Sequence, residues 1–129
     1  MNAGPARARS ARTAAGIAAL GIAADEAAEF LRTLAHAGRL RIVCALMDGE
    51  VAASRLARQA HLAAPALSQQ ATILESAGLI ARRREGRSVL YRLSSQEARA
   101  LALLLVGLFC GAPRKAGRTQ AGRKTRQRH

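Results

Sequence analysis

The stretch A-A-P-A-L-S-Q-Q-A-T-I-L-E-S-A-G-L-I-A-R-R-R-E-G-R-S-V-L-Y-R-L, residues 63–93, changes its apolar period halfway along. Pro65 suits a first helical position, where a missing N–H costs nothing, and Leu67, Ala71 and Leu74 then share one face of a helix over Pro65 to Ala77. Gly78 stands where helices commonly end in a left-handed residue. Beyond it the period drops to two. Leu79-Ile80 leads into Arg82-Arg83-Arg84, Glu85-Gly86-Arg87 makes a turn, and Val89, Tyr91 and Leu93 alternate with Ser88, Leu90 and Arg92. This is the pattern of a β-hairpin with a basic tip.

Upstream, a short helix is expected across Ala52 to His61, with Leu56 inward and Arg55 and Arg58 outward, followed by a turn at Leu62 to Ala64. Before it, Leu40, Ile42, Val43, Cys44, Leu46 and Met47 are apolar nearly all round, as in a helix buried on several sides, and Asp48-Gly49 ends it. A first helix over Asp25 to Ala37 carries Phe30, Leu31 and Leu34 on one face and Asp25, Glu26 and Glu29 in its first turns, where anions suit the helix dipole. Downstream, Ser94 or Ser95 can cap a last helix whose Leu101, Leu104, Leu105 and Leu108 follow the i, i+3, i+4, i+7 pattern. Helix, turn, helix and basic hairpin, in that order, describe a mainly α winged helix-turn-helix. A small basic α+β domain of another kind is the competing interpretation.

The chain has 129 residues with a net charge of +13, and Arg supplies 19 of its 21 basic residues. So basic a balance points to a polyanionic partner, nucleic acid before membrane. Residues 1–24 carry three basic and no acidic residues and residues 111–129 carry seven and none, so both read as disordered basic tails around a domain at 25–110. Within that domain the excess of positive charge lies in 51–110. The longest apolar run, Leu101 to Cys110, is too short to span a membrane. Arg7, Arg9 and Arg12 ahead of Ala14 to Ala24 imitate an export signal, but Ala and Gly dominate that stretch, and a cytoplasmic setting is expected. Two Cys, 66 positions apart, form neither a disulfide scaffold nor a Cys-x-x-Cys site. No clustered acid and base and no Gly-rich phosphate loop supports an enzyme, so no catalytic residue and no cofactor is expected.

Three blocks carry a resemblance: L-A-H-A-G-R-L-R-I-V-C-A-L (34–46), A-L-S-Q-Q-A-T-I-L-E-S-A-G-L-I (66–80) and R-R-R-E-G-R-S-V-L-Y-R-L (82–93). In order and spacing the segment 25–110 resembles the ArsR/SmtB family of bacterial repressors. That resemblance implies a homodimer packed through the first and last helices, bound to double-stranded operator DNA and released when an inducer alters the dimer. The chain departs from the metal-sensing pattern, since residues 52–61 hold no thiolate cluster and the last helix no His or Asp. His36, His61 and His129 are too scattered to form a site, so no metal is expected.

The pattern R-L-x-I-x-C, with F-C closing the last helix, is similar to the BigR/SqrR-like subgroup, which responds to persulfides and oxidants through a cysteine pair. The resemblance therefore implies that Cys44 and Cys110 sense a reactive sulfur species or oxidant. Arg41, on the same helical face as Cys44, is expected to lower that thiol's pKa and make it the first nucleophile. DNA reading is expected from Ser68, Gln69 and Gln70, with Gln able to pair bidentately with adenine, and backbone or minor-groove contacts from Arg82, Arg83, Arg84 and Arg87. The dimer interface is expected at Leu101, Leu104, Leu105 and Leu108. A repressor with a metal or other trigger, in which both Cys only pack, stays open.

Overall fold

In the computed structural model, which describes residues 3–110, the chain runs α1 (Ala3–Ile22), α2 (Ala24–Leu34), α3 (Ala37–Ala45), β1 (Val51–Ala52), α4 (Ala53–Gln59), α5 (Ala64–Ser76), β2 (Ile80–Glu85), β3 (Ser88–Leu93) and α6 (Gln96–Phe109). The change of period at 63–93 marks the passage from α5 into the sheet. Leu67, Ala71 and Leu74 are buried, and Pro65 lies in the first turn of α5. Gly78 has φ +79°, and the N–H groups of Leu79 and Gly78 donate to the carbonyls of Leu74 and Glu75, both at 2.9 Å. That pairing is a Schellman closure.

The wing is antiparallel, with Glu85 opposite Ser88 and Tyr91 opposite Arg82. Gly86, at φ +66°, begins a two-residue turn and Arg87 keeps φ negative, the φ pattern of type II′. The expected hairpin gains a third strand, because Val51 and Ala52 pair with Tyr91 and Leu90 to give the order β1-β3-β2. A two-residue strand leaves no periodicity to detect.

Helix α3 packs against α2, α4, α5 and α6. Its Ile42 and Val43, with Leu46 just beyond, meet Leu56, Leu74, Ile80, Tyr91, Ala98 and Ala102 in one core. With one aromatic residue buried, the core relies on Leu, Ile and Ala, and the Ala positions let helices approach closely. The turn between α4 and α5 closes through the same hydrogen bonds as the end of α5. Here His61, at φ +60°, occupies the position glycine usually takes, and Leu62 N–H donates to the Ala57 carbonyl at 2.9 Å. His36 caps α3, its Nδ1 accepting from the Gly38 N–H at 3.1 Å, and Ser95 caps α6, its hydroxyl accepting from the Ala98 N–H at 3.0 Å.

Residues 1–24, expected as a disordered tail, hold the helix α1, so that expectation is corrected. Ala and Arg are strong helix formers and can sustain a helix without an apolar face. In its second half Ile17, Leu20 and Ile22 are exposed rather than packed into the core. The basic tail at 111–129 lies outside the described residues.

Candidate functional site: nucleic-acid face and cysteine pair

On α5, Ser68 and Gln69 are exposed and flank a shallow depression with Gln70, Thr72 and Ile73. The Thr72 hydroxyl donates back to the Ser68 carbonyl at 2.9 Å. Gln70 is half-buried and already engaged. Its Oε1 accepts from Nε of Arg39 at 2.7 Å, while Nη1 of Arg39 donates to the Thr33 carbonyl at 2.9 Å. One guanidinium thus ties α5 to the start of α3 and the end of α2. The sequence offers no local sign of this bridge, whose ends lie 31 positions apart.

The four wing arginines are not equivalent. Nε and Nη2 of Arg83 donate to the two carboxylate oxygens of Glu50 at 2.7 and 2.9 Å, and Glu85 lies 3.5 Å away. The hydrogen bond from Arg83 holds the Glu50 carboxyl below the usual carboxylate range. Arg82 stands 3.6 Å from Glu75 at the end of α5. Arg84 and Arg87 are exposed and have no ion pair among the described residues. Arg55 and Arg58 lie exposed on α4.

The apolar ring expected around α3 has a gap, and Cys44 fills it. Ile42, Val43 and Leu46 are buried, whereas Cys44 is exposed. Cys110, the C-cap of α6, is also exposed, its backbone N–H donating to the Val106 carbonyl at 2.8 Å. Cys110 is close enough for a negative charge on it to oppose ionisation of Cys44. Partial burial first, and Cys110 second, push the Cys44 thiol up. This corrects the expectation that Arg41 lowers it: the desolvation of the thiol and the opposing charge prevail, and Arg41 lies exposed on the helix surface.

The Leu stripe of α6 divides. Leu101 and Leu105 are half-buried, with Leu101 against the core, while Leu104 and Leu108 are about half exposed. Ala98 and Ala102 make the buried seam. Leu103, Val106 and Phe109 widen the outer apolar face beyond the expected stripe. Arg99 of α6 donates from Nη1 to the Met47 carbonyl at 2.9 Å, fixing α6 to the end of α3. Among the described residues no three His, Cys, Asp or Glu converge as a metal-holding group, and no helix is long and apolar enough to cross a membrane.

Residues 36–82 match the model of the bacterial regulatory protein, arsR family. The chain is 37% identical over 93 residues to the biofilm growth-associated repressor of Xylella fastidiosa strain 9a5c, covering 72% of this chain and 82% of that protein. The crystal structure of the transcriptional repressor BigR from Xylella fastidiosa superposes with a TM-score of 0.68 at 35% identity, over 72% of this chain and 95% of that one. The homodimeric winged helix-turn-helix DNA-binding domain Mb0332 from Mycobacterium bovis superposes with a TM-score of 0.59 at 28% identity, over 68% of this chain and 82% of that one.

Proposed function

The chain belongs to the ArsR family of bacterial regulators and is a winged helix-turn-helix transcriptional regulator, and from that premise we propose that it is a homodimeric cytoplasmic repressor switched by chemistry at Cys44 and Cys110. The observation that carries this reading is the juxtaposition of two exposed thiols from the two helices that would connect DNA reading to the dimer. Helix α3 touches α5 directly and through Arg39, and α6 carries the outer apolar face suited to a second copy. The proposed interface includes Leu101, Leu104, Leu105 and Leu108, with α2 beside them.

In the proposed switch a persulfide RSSH transfers its outer sulfur to one thiolate, giving Cys–S–SH and the thiol RSH. Attack by the second thiolate on the inner sulfur forms a disulfide and expels hydrogen sulfide. A two-electron oxidant acting on the same pair instead retains the added sulfur as a trisulfide and releases two protons. Since the Cys44 thiol is pushed up rather than down, its choice as first nucleophile loses its basis, and either order serves the link. A bond between the end of α6 and α3 would bias the dimer-forming helix against the reading helices.

Ser68 and Gln69 are assigned to base edges and Arg84 and Arg87 to phosphates or the minor groove, with Arg82 and Arg83 joining them only where DNA displaces Glu75 and Glu50. Fluorescence anisotropy of the full chain on the duplex it selects from a randomised library tests the trigger. The wild type should release DNA on addition of a persulfide donor, while Cys44→Ser and Cys110→Ser should bind normally and stay bound. Release by both variants would make the cysteines packing residues.

A further inference from the structure

We propose that Arg39 is a positioning residue for base reading, which fixes Gln70 as a hydrogen-bond donor and so directs it to guanine or thymine rather than adenine. The inference rests on α5 being the reading helix. A guanidinium has five donors and no acceptor, so the Gln70 atom that faces Arg39 at 2.7 Å is necessarily the carbonyl oxygen. Arg39 is itself anchored by the Thr33 carbonyl at 2.9 Å, and both side chains are partly buried. Its grip on Gln70 is therefore held from a second helix. With Oε1 turned toward α3, Gln70 has its NH2 group left to offer.

Bidentate reading of adenine needs the amide oxygen to accept from N6–H while the NH2 donates to N7. Arg39 takes one of that oxygen's two lone pairs and holds the carbonyl toward α3, so oxygen and NH2 are not offered side by side to one base edge. Guanine presents two acceptors, O6 and N7, and thymine presents O4, and both suit a side chain that only donates. The exposed neighbour Gln69 has no such tie among the described residues and keeps both amide groups for a base. Two consecutive glutamines thus acquire different base preferences from one arginine placed 31 positions before the second.

Selection of the full chain on a randomised duplex library reads this out position by position. The wild-type motif should contain a position preferring guanine or thymine over adenine, and Gln70→Ala should flatten that position alone by about fivefold or more. Arg39→Met frees the amide and should move the same position toward adenine, with the double variant resembling Gln70→Ala. Gln70→Glu keeps the acceptor for Arg39 but has no NH2, so it should retain the fold and lose the guanine or thymine preference even where Arg39→Met fails to fold. Adenine at the Gln70 position of the wild type, or a motif unmoved by Gln70→Ala and Gln70→Glu, overturns the assignment. A wild type that selects no sequence at all overturns the DNA-reading helix itself, a separate outcome.

Discussion

Cys44 is exposed although Ile42 and Val43 before it and Leu46 after it are buried, and desolvation with the nearby Cys110 pushes its thiol up. At any pH below its own pKa a group so shifted has a smaller thiolate fraction than an ordinary cysteine, so its alkylation profile should move to higher pH. Cys110→Ser removes the opposing charge, and the profile of Cys44 should then move back down. Iodoacetamide labelling followed across pH checks both, and a wild-type profile below that of a free thiol contradicts the assigned causes. His61, at φ +60° in the turn between α4 and α5, bears a backbone cost glycine avoids. His61→Gly should raise stability by about 1 kcal/mol in denaturant titration. The sequence marks this turn only by its place between two helical patterns, since the usual glycine signal is missing, whereas Gly78 and Gly86 announce theirs.

Helix α6 and the wing show how far periodicity carries and where it stops. The spacing of Leu101, Leu104, Leu105 and Leu108 reveals a helix, but cannot say which side meets its own core; the smaller Ala98 and Ala102 take that seam. Leu104 is 56% exposed, so Leu104→Glu should leave the fold intact and shift a dimer to monomers in sedimentation, with operator binding lost at the same protein concentration. In the wing, alternation and the Gly86 turn mark the hairpin, but the partners of its arginines lie in other elements: Glu50 before β1 and Glu75 on α5. Arg84→Ala or Arg87→Ala should lower the slope of log K against log salt by about one unit, as loss of one phosphate contact requires. Arg83→Ala should lower it less because Glu50 already neutralises that charge, and equal losses for Arg83 and Arg87 would mean the ion pair opens on DNA.

At the scale of the whole molecule, the winged helix-turn-helix is legible because its longer core elements carry their own periods and Gly78 and Gly86 mark two of the junctions. The long-range ties that give the fold a mechanism are not, since Arg39 to Gln70, Arg83 to Glu50 and Arg99 to Met47 join residues 31 to 52 positions apart. Helix α1 is not legible for a related reason: a stretch rich in Ala and Arg has helix propensity without an apolar face, and periodicity registers only the face. Those ties connect α6, α3, α5 and the wing around a single core, across which the proposed bond between α3 and the end of α6 would act on DNA binding. The decisive measurement treats the DNA-bound full chain with a persulfide donor and follows, in the same sample, intact-protein and peptide mass spectrometry together with DNA release. An intramolecular link between the peptides containing Cys44 and Cys110 should accumulate in step with release and reverse with it on reduction. Complete release with both cysteines unlinked, or full linkage with DNA still bound, would contradict the account.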